Sequence, residues 1–222
     1  MKKSIVSRIL DLLFPPKCAA CDEVVGAHEA LCPRCLSKYE SERKIKCPVC
    51  KKTAQGCKCE IPREIQTFIC SAFYTHYSYD SKRVTEKIIF GLKRKKSSRL
   101  AEFFGREAAA ATMRHVLQNQ IATDDCVITY PPRSEKSMTK YGFDHAERVA
   151  EYISHYTGIK LVRALERVGG DEQKTLDVTG RLANAKASLK LSKVADVRDK
   201  TVFLFDDVMT TGATLITSSE LL

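Results

Sequence analysis

The sequence predicts an α/β protein, a parallel sheet flanked by helices, behind a small cysteine-rich N-terminal region. Three observations carry that reading. Apolar runs at CVITYPPR (126–133), GIKLVRAL (158–165) and VFLF (202–205) alternate with longer stretches of helical periodicity, as βαβ units require. Eight of the ten cysteines crowd between Cys18 and Cys59. The last apolar run leads straight into Asp206 and Asp207 and then a loop of small residues.

Composition narrows the class. A chain of 222 residues suffices for one ordinary domain and a small one. A hydrophobic fraction of 44% excludes wholesale disorder. The net charge of +10 favours polyanions: nucleic acid, nucleotides or phosphorylated substrates. No apolar run approaches the ~20 residues that span a bilayer. Arg8 and Asp11 interrupt the stretch that begins like a signal peptide, so the cytoplasm is the expected location. At the N-terminus, Ile5, Ile9 and Leu12, with Val6, Leu10 and Leu13, fall at helical spacing until Pro15 and Pro16. This amphipathic helix is expected to pack on the protein body, with a weak membrane-surface contact as the alternative.

The cysteines come in pairs: Cys18-x2-Cys21, Cys32-x2-Cys35, Cys47-x2-Cys50 and Cys57-x-Cys59. Disulfides compete as an account, but a reducing compartment disfavours them. Thiolates at this spacing reach one tetrahedral zinc ion from a tight turn, and Pro33, Pro48 and Gly56 suit such turns. Four pairs make two zinc sites. The simplest assignment is sequential, Cys18, Cys21, Cys32 and Cys35 for one and Cys47, Cys50, Cys57 and Cys59 for the other; crossed pairing remains open. Four thiolates leave no vacant coordination position, so the metal is structural and supplies folding free energy to a segment with little core. The predicted division is a zinc ribbon with its leading helix over 1–65 and an α/β domain over 66–222. Cys70 and Cys126 stand alone and read as buried apolar side chains.

From residue 66, TFICSAFYTHYSYD predicts strand or hairpin. The stretch from Val84 to Gln118 predicts helices, with Lys93, Arg94, Lys95, Lys96 and Arg99 between its halves. Such a run serves as a solvated helix end or as a polyanion contact. A further helix is predicted from Asp144 through Tyr156.

Ligands of parallel sheets bind beyond the carboxyl ends of the strands. Two strand ends stand out, YPPRSEK and DDVMTTGAT. No GxxxxGK[ST] loop is present. Thr210, Thr211, Gly212 and Thr214 nonetheless make a phosphate cradle, since small residues before a helix expose N–H groups to an anion. Asp206 and Asp207 would repel that phosphate and suit hydroxyl groups, or a metal, a few ångströms away. Phosphate beside a diol describes a ribose 5-phosphate.

That arrangement resembles the signature of type I phosphoribosyltransferases, which bind phosphoribosyl pyrophosphate. With FPPKC, the cysteine pairs, the VITYPPR strand end, YGFDHA at 141–146, and Gln173, Leu176, Arg181 and Asn184 at the family's spacing, nearly the whole chain resembles the ComF family of competence proteins. The resemblance implies a phosphoribosyltransferase-like α/β domain behind a zinc ribbon. It assigns Asp206 and Asp207 to the ribose hydroxyls and the charge developing at the anomeric carbon. Val208, Met209, Thr210, Thr211, Gly212, Ala213 and Thr214 would hold the 5-phosphate. The Pro131–Lys136 loop would meet pyrophosphate through Arg133 and Lys136, with Mg²⁺ bridging sugar and leaving group. Residues 167–184 would close over the centre, offering Lys174 and Arg181. The departures are Tyr141, Asp144, His145 and Ser188, and His145 reads as a helix-surface residue rather than an acid or base. After the phosphate loop only LITSSELL follows, so either a truncated chain or a sheet lacking an edge element is expected.

Two classes of function follow. In one the protein binds phosphoribosyl pyrophosphate with magnesium and transfers the sugar. In the other it contacts single-stranded DNA through Lys93, Arg94, Lys95 and Lys96, with Tyr74, Tyr77 and Tyr79 as packing residues or stacking platforms. Docking of the zinc region onto other competence proteins is compatible with either.

Overall fold

The computed structural model describes residues 14–59, 61–65, 82–168 and 178–222. The N-terminal amphipathic helix, the β-type segment 67–80 with Cys70 and its tyrosines, and Gln173, Lys174 and Leu176 lie outside them.

The ribbon is built from a repeated turn. An antiparallel bridge, Lys17 with Val24, brackets Cys18 and Cys21, and a second, Lys46 with Thr53, brackets Cys47 and Cys50. In the first turn Cys18 N–H donates to Glu23 O (2.7 Å) and Asp22 N–H to Cys18 O (3.0 Å). In the second, Cys47 N–H donates to Lys52 O (2.7 Å) and Lys51 N–H to Cys47 O (3.0 Å). Asp22 and Lys51, each just after its second cysteine, share a left-handed φ of 58° and 59°. Helix α1 (Pro33–Arg43) opens on a proline, which needs no N–H partner in a first turn.

Two helices follow, α2 (Val84–Arg94) and α3 (Ser98–Gln118), with the basic run at their joint. Strand β1 (Cys126–Thr129) is buried along its length. Then come α4 (Glu135–Tyr141), α5 (His145–Thr157), β2 (Lys160–Leu161), β3 (Leu165–Arg167), α6 (Val178–Ser188), β4 (Leu189–Leu191), β5 (Thr201–Leu204) and α7 (Ala213–Leu221). The caps are local. Ser134 and Asp144 accept first-turn N–H groups of α4 and α5, and Gly142 and Gly158 end those helices in the left-handed conformation.

Strands β2, β1 and β5 form a parallel sheet in that order, the α/β arrangement the alternating pattern predicts. One expectation changes. The single strand read over 158–165 divides: Val162 N–H still bonds to Ile128 O (2.9 Å), Ala164 N–H bonds to the Thr129 side chain (3.3 Å), and the chain then turns away. Beyond that point β3 pairs antiparallel with β4 as a separate two-stranded sheet. The end of the expected closing loop, residues 178–184, is helical in α6.

One core joins ribbon and sheet. Ile88, Leu100, Ile128, Val149 and Ile153 pack in the same cluster as Leu31, Cys35 and Tyr39 of the ribbon, each buried aliphatic side chain contributing about 1.5–3 kcal/mol. Tyr39 meets Phe103 edge to face at 5.4 Å. Helices α3 and α5 approach so closely at Gly105 that a Cβ there would lie 2.3 Å from Tyr152 Cβ. The ribbon also caps α2. The side chain of Arg83 at the N-cap does not cap the helix, and Glu42 of α1 substitutes for it. Glu42 Oε1 accepts Val84 N–H (2.8 Å), and Oε2 accepts Thr85 N–H (2.8 Å) and Thr85 Oγ1–H (2.6 Å). Ribbon and α/β part therefore share one core. Among the described residues no helix is long and apolar enough to cross a membrane.

Candidate functional site

The eight cysteines gather as two sets, Cys18, Cys21, Cys32 and Cys35, then Cys47, Cys50, Cys57 and Cys59, the sulfurs of each within 4.8 Å of one another. This is the sequential assignment; the crossed one is excluded. Zinc held tetrahedrally at ~2.3 Å places its sulfurs ~3.8 Å apart. Cys21 and Cys32 sulfurs are separated by 3.7 Å and those of Cys50 and Cys57 by 3.5 Å, so the residues fit the ion. Backbone N–H groups favour two of the thiolates: bonds from Cys50 and Val49 pull the Cys47 thiol down to about 6, and one from Glu23 brings Cys21 to about 7, whereas burial pushes Cys35 up and the neighbouring Cys50 sulfur pushes Cys59 up. Four thiolates per set leave no room for a substrate on the metal, so these centres are structural.

The second site lies where β1 and β5 end side by side. Pairing continues past β5, with Phe205 N–H donating to Thr129 O (2.9 Å), so Pro131–Lys136 and Asp206–Thr214 emerge at one edge of the sheet. Gly212, at φ +76°, caps α7, and the first-turn N–H groups of a helix have no intrahelical acceptor. Thr211 Oγ1 reaches Ala213 N–H at 3.5 Å. Beneath this loop Ile61 and Ile65 pack with Met209, Leu215 and Ile216. The last residues of the ribbon region therefore support the cradle.

The two carboxylates are unequal. Asp206 Oδ1 accepts Asp207 N–H (2.8 Å), yet burial and then the adjacent Asp207 charge push its carboxyl up to about 7. Burial also raises Asp207, but His145 and Lys93 outweigh it and hold that carboxyl at about 2. Lys93 Nζ lies 3.1 Å and His145 Nε2 2.9 Å from Asp207 Oδ2.

His145 corrects the sequence reading. It is not a helix-surface residue: 7% exposed, it enters the site from the first turn of α5. Lys93 likewise leaves the basic run to join Asp207, while Arg94 covers the Phe90 ring at 3.9 Å and Lys95 and Lys96 face solvent. Arg133 stands at the end of β1 as predicted, but its donors point inward. Its N–H bonds to Asp144 Oδ2 (2.7 Å), Nη1 to Phe143 O (3.2 Å) and Nη2 to Lys93 O (2.7 Å). Arg167 holds the same loop, Nε donating to Pro132 O (2.9 Å) and Nη1 to Ser188 Oγ (3.2 Å). Of the loop candidates, Lys174 and the Arg181 side chain lie outside the described residues.

No curated protein and no solved structure matches the chain. Residues 9–72 match the family model of the double zinc ribbon domain, the same architecture that the two cysteine sets build.

Proposed function

We propose that the α/β part binds phosphoribosyl pyrophosphate, and that the protein serves DNA uptake in the cytoplasm, as its likeness to ComF proteins implies. The observation that carries the ligand is one loop, in which paired carboxylates precede the open N-terminus of α7 at the C-terminal edge of a parallel sheet. Asp206 and Asp207 suit the ribose hydroxyls; Thr210, Thr211, Gly212 and Thr214, with the backbone between them, suit the 5-phosphate. Transfer would break the bond between the anomeric carbon and pyrophosphate as an acceptor attacks, and the carboxylates would stabilise positive charge on the ring. Magnesium finds no set of protein ligands here: among the described residues the metal-competent clusters are the two cysteine sets. Arg133, tied to backbone carbonyls, acts in this reading by shaping the pyrophosphate loop.

Calorimetric titration of phosphoribosyl pyrophosphate with Mg²⁺ into the zinc-loaded protein tests the reading, beside Asp206→Asn/Asp207→Asn. Each hydroxyl-to-carboxylate bond is worth about 1.5–3 kcal/mol, so the double variant should bind at least tenfold more weakly, roughly 1.4 kcal/mol or beyond. Absence of binding by the folded wild type refutes it. A second reading, contact with single-stranded DNA, is favoured by the exposed Lys95 and Lys96 and by exposed lysines 44, 46, 51 and 52 around the second cysteine set. Binding that weakens steeply with salt and survives loss of the carboxylates would favour it.

A further inference from the structure

Asp207 is held by groups from two elements remote from its own. The Lys93 ammonium arrives from the C-terminal end of α2, and the His145 imidazole from the N-terminal end of α5. The side chains of His145 and Asp207 are 9% and 8% exposed. Neither His145 ring nitrogen nor Asp207 Oδ2 completes a well-aligned hydrogen bond, although Nε2 and Oδ2 are 2.9 Å apart. Buried polar atoms left in this state call for a partner, and here they cluster about the carboxylate assigned to the sugar. Their carriers are themselves fixed. Arg133 binds the Lys93 carbonyl and, through its own N–H, Asp144. Asp144 caps α5 at Ala146 N–H (2.9 Å) and Glu147 N–H (3.3 Å), with Oδ1 3.9 Å from His145 Nδ1. One arginine thus sets the place of both nitrogen donors.

Resting on the phosphoribosyl reading, we propose that Lys93 and His145 are positioning residues of the sugar subsite, orienting Asp207 to accept a hydroxyl of a vicinal diol on a sugar phosphate. Neither makes or breaks a bond. Lys93 matches the charge that burial would otherwise leave isolated. The imidazole, with Nε2 2.9 Å from Oδ2, restricts the carboxylate to one rotamer.

Two measurements on the full-length, zinc-loaded chain test this. The first is a thermal double-mutant cycle without ligand, using Lys93→Met, Asp207→Asn and both together. Pairing requires that Lys93→Met lower Tm in the wild-type background and do so markedly less beside Asp207→Asn. Equal shifts in the two backgrounds overturn the proposal. The second is calorimetry with ribose 5-phosphate and with phosphoribosyl pyrophosphate and Mg²⁺. Lys93→Met and His145→Leu should each weaken both ligands roughly tenfold or more, while Lys93→Arg and His145→Gln, which keep a donor, should stay within about threefold of wild type. Wild-type affinity in Lys93→Met and His145→Leu overturns the proposal, as does failure of the conservative pair to rescue. Absence of binding by the wild type itself, with the cycle intact, overturns the phosphoribosyl reading and this role together, and locates the failure in the ligand rather than in the pair.

Discussion

Gly212→Ala tests whether the ribbon buttresses the cradle. Gly212 has φ +76°, where an alanine costs about 1–2 kcal/mol. The added Cβ would also lie 2.4 Å from Pro62 Cγ and 3.0 Å from Pro62 Cδ. A pyrrolidine ring has no rotamer to escape into, and Pro62 is bracketed by Ile61 and Ile65, both buried. Relief must come from moving backbone, and overpacking of this kind costs about 1–3 kcal/mol. Together the terms give about 2–5 kcal/mol. For a chain of this size each kcal/mol lowers Tm by about 2–4 °C. Urea unfolding of Gly212→Ala, in the wild-type and Pro62→Gly backgrounds, separates the terms. Only the left-handed cost of about 1–2 kcal/mol should remain when the ring is gone. Equal losses in both backgrounds would refute the clash, and a wild-type loss below about 1 kcal/mol would refute the packing of residues 61–65 on the loop.

Three further outcomes are expected. Metal analysis of the reduced protein should find about two zinc ions per chain, and Cys50→Ser should retain about one, since the sets share no ligand; loss of both ions from the variant would show the sets interdependent. The folded Asp206 carboxyl, at about 7, lies above its ordinary value of 3.8, so the native state holds that proton more tightly and its contribution to stability falls as pH rises between these values. Asp206→Asn should flatten this fall in urea midpoints, whereas the contribution of Asp207, whose carboxyl is lowered to about 2, is present above its ordinary value of 3.8 and is lost as pH drops from there through about 2. Glu42→Gln keeps one acceptor but removes the charge at the start of α2, and should cost about 1–2 kcal/mol by denaturant unfolding; no measurable change would mean water replaces the cap.

What periodicity governs was legible in the sequence. Helices α2, α3 and α5 and strands β1 and β5 stand where apolar spacing puts them, because each presents one face or the whole of a short run to a single core. The cysteine spacing was equally informative, since the tight turn that brings two sulfurs to a metal is encoded within a few residues. His145 was not legible. Its neighbours Lys93 and Asp207 come from distant parts of the chain, and a histidine following a capping aspartate looks like any first-turn residue. Arg133 carried a different ambiguity. Its position beside two prolines suggested a ligand contact, whereas its donors are directed by carbonyls of Lys93 and Phe143 that only the fold brings near. The division of residues 158–165 depends on Thr129 offering a side-chain acceptor in place of the next ladder bond, a detail outside any hydrophobic pattern.

The Glu42 carboxylate makes the ribbon hard to transplant. Helix α2 carries Arg83 where a capping side chain belongs, and its first N–H groups are satisfied from a helix that precedes it by some forty positions in sequence. A foreign ribbon grafted in its place would need an acid at that same point in space, or α2 would fray at one end while bearing Lys93 at the other. Modules joined by a shared helix cap diverge together: substitutions in one are screened by the geometry of the other, and the exchange of either half between proteins is constrained by a single side chain rather than by the linker that joins them.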